Sequence, residues 1–403
     1  MHIAIVAPSH KSFIANFLPN INLGELPNGY FGAPFIGTII KELLEKNHTV
    51  TAITTSTAIN GDYSIKKYKC RNFTWIIVPS RPNSFRFNKN KLGRMVDFYS
   101  LEQKNIIQSL KNANPDFVHA HWSYEFAGSA VKSGFPYLVT VHDNAFQVLR
   151  YFKNIYRFGR LLMSEQILRK VKYASTVSPY MQDYTSKRCE FVKVIPNPTI
   201  LNLQKEDIEK EVIAKMNTLQ APRIIMINNG WDTRKNGKVG LLAFQNLQKR
   251  IPDATLHIYG GGSEENGSAF KEASYLGIQN VFFNGAIAHQ QLINVIKESH
   301  LLIHPALEES FGVVLIEAMS YGVPTIGGLK SGAVPWVIKE PQLLLDVTKP
   351  EQMANKMFEI LTSSTLYKNL SLECYLNVAS RFSSNAVVAT YIDYYEEILL
   401  VNK

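Results

Sequence analysis

Short β-rich runs alternate with longer helical patterns along most of this chain, and the series occurs twice. HIAIVAP, HTVTAITT, TWIIVPS, DFVHAHW, YLVTVHD and STVSP are the strand-like runs of the first half. RIIMINNG, TLHIYGGG, VFFNGAI, LLIHPAL, PTIGG and LLLDV are those of the second. Helical stretches such as FIGTIIKELLEK and YSLEQKNIIQSLKN stand between several of them. Alternation of this kind predicts parallel sheets covered by helices, the doubly wound α/β class.

A chain of 403 residues exceeds one ordinary core, so two domains are expected. The break falls near residue 200, where Pro196, Asn197 and Pro198 interrupt VKVIPNPT. The reading is an N-terminal Rossmann-like domain over 1–200 and a second over 201–380. A closing segment over 381–403, SSNAVVATYIDYYEEILLV, reads as an amphipathic helix capped by Ser383 or Ser384 that packs back on the N-terminal domain. Two such domains leave a cleft, and ligands of open α/β sheets bind beyond the carboxyl ends of the strands.

Charge is unevenly spread. Residues 1–200 hold 25 Lys and Arg against 12 Asp and Glu, a net of +13, while the remaining 203 residues net −3. An anionic partner surface, membrane lipid or nucleic acid, would suit the basic half. A merely solvated basic face is the equal alternative. The segment RYFKNIYRFGRLLMSEQILRKVKY (150–173) mixes cations with aromatic and aliphatic residues, as a helix lying on an anionic membrane does. Its plainer reading is a helix packed on the domain core. No apolar run nears the roughly 18 residues of a membrane span. The start lacks the pattern of a signal peptide, and the three cysteines are far apart. A cytoplasmic protein is expected, peripheral at most to the inner face of the plasma membrane.

Glycine-rich loops end several strands of the second half. NNGWDTRKNG carries Gly230, Arg234 and Lys235; GGGSEENG opens with Gly260 and Gly261. Glycine permits close approach of backbone to ligand, and adjacent cations suit a diphosphate. In EESFGVVLIEAMSYGVP, Gly312 stands where a helix begins, with Glu317 about one turn further in. Free N–H groups there would form an anion site, and Glu317 could accept hydrogen bonds from vicinal hydroxyls of a ribose. The residues alone leave a second reading open, with Glu317 in a helix-dipole interaction and Glu309 exposed to solvent.

Glu309 and Glu317 form an E-x7-E pattern within HPALEESFGVVLIEAMSYGVPTIGG, which resembles the signature of glycosyltransferase family 4. These are retaining, nucleotide-sugar-dependent enzymes of the GT-B fold, two Rossmann-like domains facing a central cleft. The resemblance spans nearly the whole chain, through IIKELLEKNHTV, VHAHWSYEF, TVHDN, TVSPYM, the KN loop and YGGG, and is strongest over 303–335. It implies that Glu317 holds the ribose and Glu309 the donor sugar. Backbone N–H groups of Phe311, Gly312 and Val313 would face sugar and diphosphate. Lys235 would neutralise the leaving group, with Arg234 beside it. His121 of VHAHW would face the donor sugar, His142 would be structural or line the acceptor side, and Gly32 would belong to an N-terminal glycine loop near the leaving phosphate. Family members usually carry an arginine five positions before the lysine; here that position is Gly230.

The resemblance implies transfer of a hexose or N-acetylhexosamine from a nucleotide-diphosphate sugar, UDP in preference to GDP. The acceptor would be a glycan, glycolipid or surface polysaccharide. No D-x-D metal motif is present, so metal-independent chemistry without a resident cofactor is expected. A GT-B-fold UDP-sugar epimerase shares the architecture, but E-x7-E followed by SGAVPW favours the transferase. The basic half alone raises nucleic-acid binding, for which no helix-turn-helix, aromatic RNA-binding set or zinc pattern appears.

Overall fold

The computed structural model describes residues 1–57, 64–85 and 92–401. The chain forms two compact units. One comprises Met1–Pro198 with the segment from Ser384 onward, and the other Thr199–Ser383.

The first unit is built on an eight-stranded sheet of β1 (His2–Val6), β2 (Thr49–Ser56), β3 (Lys66–Cys70), β4 (Phe73–Pro79), β5 (Phe117–His121), β6 (Tyr137–Val141), β7 (Tyr173–Thr176) and β8 (Phe191–Val194). Their spatial order is β3-β4-β2-β1-β5-β6-β7-β8. All neighbours are parallel except β3, which runs antiparallel on β4. The central strands are apolar without alternation because helices cover both faces. Ile3, Ala4, Ile5 and Val6 of β1 are all buried. The helix Phe35–Glu45 buries Ile36, Ile39, Ile40 and Leu43, one helical stripe.

Ser384–Val401 is a helix of this first unit. It buries Val387, Val388, Tyr391, Tyr394, Tyr395 and Ile398 on one face. Ser384 donates to Glu42 Oε1 at 2.5 Å, and the Tyr395 hydroxyl lies 2.6 Å from His119 Nδ1. The preceding residues belong to the other unit, where Phe382 packs edge-on against Phe311.

The second unit carries β9 (Arg223–Ile227), β10 (Thr255–Tyr259), β11 (Val281–Phe283), β12 (Leu301–His304), β13 (Thr325–Gly328) and β14 (Leu344–Leu345). All are parallel, in the order β11-β10-β9-β12-β13-β14. The chain runs outward from β9 to β11, then returns to lay β12 on the other side of β9. At such a reversal the ligand crevice of an open α/β sheet lies at the carboxyl ends of the two strands, here β9 and β12. The first sheet reverses likewise, with β2 on one side of β1 and β5 on the other.

Three features differ from the sequence reading. β3 is an additional edge strand whose exposed Lys67 and Lys69 alternate with half-buried neighbours; such lysines keep an open edge from pairing with another chain. β8 is a further edge strand just before the Pro-Asn-Pro break, with Phe191 and Lys193 exposed. The segment 150–173 is not one helix. Ala145–Tyr151 ends and Ile155–Leu168 begins afresh, with Asn154 accepting from the Arg157 N–H at 2.9 Å. Arg160 turns inward and stacks 3.6 Å from the centre of the Tyr124 ring, so it is no part of a basic surface.

Replacing Tyr395 by Phe leaves the fully buried His119 Nδ1 without its hydroxyl partner. The expected loss is about 1–3 kcal/mol, read as a fall of several degrees in the thermal unfolding midpoint.

Candidate active site

The second unit brings its charged residues together at the crevice between β9 and β12. In the loop after β9, Asp232 Oδ1 accepts the N–H groups of Arg234 at 2.9 Å and Lys235 at 3.2 Å. This side-chain turn presents two cations in succession. The Leu307 N–H donates to the Arg234 carbonyl at 2.8 Å, pinning this loop to the one after β12. Each cation then meets one of two successive carboxylates. Arg234 Nη1 lies 3.5 Å from Glu308 Oε2, and Lys235 Nζ donates to Glu309 Oε1.

Lys235 and Glu309 are 7% and 8% exposed, so their ion pair is withdrawn from water. Burial alone would raise the Glu309 pKa. The charges of Lys235, His304 and Arg234 outweigh it and hold the carboxyl well below the usual range. His304 Nε2 stands 3.4 Å from Glu309 Oε1. Glu309 is thus an ionised acceptor at any neutral pH, held by a cation that is itself shielded. Its backbone is fixed as well, since its carbonyl accepts from the Ala333 N–H at 2.9 Å.

Glu317 lies on the next turn, in the helix Val313–Met319, and is 8% exposed. His289, first residue of the helix that follows β11, places Nε2 2.7 Å from Glu317 Oε1. Burial opposes charging of this imidazole, but the hydrogen bond and charge of Glu317 prevail and raise its pKa above 6.5.

Glycine shapes the rim. Gly260, which follows β10, adopts φ +107°, and a side chain there would begin 1.8 Å from the Asn228 carbonyl oxygen. Only glycine allows the loops after β9 and β10 to approach this closely. The nearest atom to the side-chain position of Gly261 is the Gly230 nitrogen at 3.8 Å. Gly230 has φ +106° and brings no cation to the position where family members usually carry one. Gly312, at φ +86°, caps the helix that Val313 begins. The Phe311 side chain is buried against Trp336 and Phe382 and anchors the loop rather than lining it.

His121 and Gly32 belong to the first unit. His121 ends β5, is fully buried and holds its Nδ1 2.8 Å from His142 Nε2. The neighbouring His119 ring lies 4.1 Å away, centre to centre, tilted by 35°. Burial, with these neighbouring imidazoles, drives the His121 pKa well below 6.5, so the ring is neutral. Its Nε2 is buried without a hydrogen-bond partner among the described residues. Gly32, at φ +110°, has nothing among the described residues within 4 Å of the position a side chain would take.

Three residues of the site had no role assigned from the sequence, although His304 and Asn228 open two of the quoted stretches. His289 pairs with Glu317, His304 backs Glu309, and Asn228 buries both amide atoms of its side chain without a partner among the described residues. A buried amide of this kind is satisfied by a polar ligand or water. The only signal in the sequence was their place at strand ends or the start of a helix. Among the described residues, no three His, Cys, Asp or Glu side chains cluster to hold a metal ion.

Solved structures share this architecture. A sucrose-phosphate synthase from Thermosynechococcus elongatus superposes with a TM-score of 0.73 at 18% identity, covering 100% of each chain. The two doubly wound units are those of the GT-B fold. The family model for Glycosyl transferases group 1 matches residues 209–374, and that for Glycosyltransferase Family 4 matches residues 34–202. Between them these two models span most of the chain, and the protein is a glycosyltransferase. It is similar to N-acetyl-alpha-D-glucosaminyl L-malate synthase of Bacillus anthracis, 23% identical over 92% of this chain and 95% of that one. It also resembles the GDP-mannose-dependent monoacylated alpha-(1-6)-phosphatidylinositol monomannoside mannosyltransferase of Corynebacterium glutamicum. That likeness is 26% identity over 49% of this chain, and it spans only 56% of the relative's length.

Removing one member of a buried ion pair strands the other. Glu309→Gln is expected to destabilise the second unit by about 3–5 kcal/mol. The pH dependence has a definite sign. A depressed carboxyl stabilises fully above its unfolded value of 4.5, and that contribution is lost as pH falls through the folded pKa. Urea unfolding across acid pH will show a steeper loss in the wild type than in Glu309→Gln.

Proposed function

We propose that this enzyme moves a hexose or N-acetylhexosamine, with retention, from a nucleotide-diphosphate sugar to a glycan, glycolipid or surface-polysaccharide acceptor. The observation that carries the reading is the row of Lys235, Glu309 and Glu317 along the crevice between β9 and β12. Glu317 accepts hydrogen bonds from the ribose, and Glu309 from hydroxyls of the donor sugar. Backbone N–H groups of Phe311, Gly312 and Val313 face the sugar and diphosphate. Lys235 shares its charge between Glu309 and the diphosphate, whose negative charge grows as it departs. Arg234, together with the glycine loops at Gly230 and Gly260–Gly261, completes the diphosphate side. His121, neutral and with a free Nε2, hydrogen-bonds a donor-sugar hydroxyl, and Gly32 lies toward the leaving phosphate. The chemistry needs no metal in this reading.

The names of the relatives support the sugar class, since one is a mannosyltransferase and the other makes an N-acetylglucosaminyl product. The latter name specifies an alpha product, as retention from an alpha-linked donor gives. We favour a UDP-sugar, with GDP as the alternative base. A thermal-shift panel of UDP, GDP and ADP will show stabilisation by one of the first two; no shift with any of them sinks the proposal. Glu317→Ala will weaken nucleotide binding by about 10- to 100-fold. Glu309→Gln will lower kcat by about 100-fold or more while the nucleotide Kd changes little. Product anomer by NMR tests retention.

The acceptor is proposed to meet the enzyme at an anionic membrane surface. No helix among the described residues is long and apolar enough to cross a membrane. The helix Ile155–Leu168 instead exposes Ile155, Phe158 and Leu162, spaced along one face, with exposed Arg169 and Lys170 at its end. An apolar face beside cations is the pattern of an interfacial helix. Sedimentation with anionic liposomes at low salt is expected, reduced at least severalfold by Phe158→Ser with Leu162→Ser. Equal recovery of wild type and double variant with the lipid would remove this part.

A further inference from the structure

Glu317 is a carboxylate on an otherwise apolar turn, with Leu315, Ile316, Ala318 and Met319 buried around it. Its Oε1 is taken by His289 Nε2 at 2.7 Å, while Oε2 makes no hydrogen bond among the described residues. One oxygen is therefore fixed by the protein and the other is left open. The two partners come from different elements, His289 from the helix start after β11 and Glu317 from the helix after the crevice loop. The His289 side chain is 45% exposed against 10% for that of Glu317, so the imidazole stands on the solvent side of the carboxylate.

We infer that His289 is a positioning residue for ribose recognition, locking the plane of the Glu317 carboxylate so that it accepts from the vicinal hydroxyls. The inference rests on the proposed ribose role of Glu317. An unrestrained carboxylate must give up rotamer freedom when it binds a diol, and a hydrogen bond formed beforehand removes that cost. The 2.7 Å contact from His289 Nε2 to Glu317 Oε1 is such a bond.

The test separates orientation of the carboxylate from general support of the fold. Calorimetric titration of UDP and 2′,3′-dideoxy-UDP, with the GDP pair in parallel, is run on wild type, His289→Ala, His289→Gln and Glu317→Ala. His289→Ala is expected to weaken ribonucleotide binding about tenfold and dideoxynucleotide binding less than about twofold. His289→Gln, which keeps an N–H donor, restores most of the difference. Equal loss for both nucleotides in His289→Ala, or no loss for either, overturns the inference. If Glu317→Ala abolishes the preference for ribose and His289→Ala leaves it intact, only the role of His289 falls. If wild type itself does not distinguish the two nucleotides, the ribose reading of Glu317 falls, and this inference with it.

Discussion

The buried ion pair of Lys235 and Glu309 is the constraint on which the second unit is organised. Each partner comes from a different loop, and the pair forms only because β12 returns to the flank of β9. Withdrawing two charges from water costs several kcal/mol per ion, so the pair holds only with good geometry and further contacts. Those contacts are present. Asp232 folds the cationic loop, Leu307 ties the two loops together, and His304 stands behind the carboxylate. The strand order and the local turns therefore serve the same pair.

Charge matching extends along the crevice. Arg234 faces Glu308, Lys235 faces Glu309, and His289 faces Glu317, so every acid of the row has a cationic or protonatable partner. A site balanced in this way tolerates its own burial. In the proposed function it would receive an anionic ligand by sharing cations rather than by exposing bare ones. In the proposed reaction, a diphosphate would draw on Lys235 and Arg234 while their carboxylates turn to the hydroxyls of the sugar. The usual second cation is absent at Gly230, where the backbone instead approaches Gly261. Backbone proximity replaces side-chain charge at that point of the rim.

Much of this architecture was legible in the sequence. The parallel α/β class followed from the alternation of apolar runs, because a strand covered on both faces has no reason to alternate. The glycines of the strand-end loops and the spacing of Glu309 and Glu317 marked the crevice. The two edge strands were harder to see. β3 reads KKYKC and β8 reads FVKV, and both carry the exposed polar residues that an edge permits, so neither stands out as an apolar run. The segment 150–173 looked like one basic helix because composition does not register a cap. Asn154 restarts the helix, and Arg160 turns inward to the Tyr124 ring.

By itself the sequence determined which residue types stand at the strand ends, since periodicity and glycine placement are local properties. It also determined the spacing of the two carboxylates on one continuous loop and helix. Partnership was decided only in three dimensions. His289 and Glu317 are 28 residues apart, and Lys235 and Glu309 are 74 apart. No local pattern couples positions that far along a chain. Strand order brings them together, and the burial of Lys235, Glu309 and Glu317 then makes the loss of a partner costly.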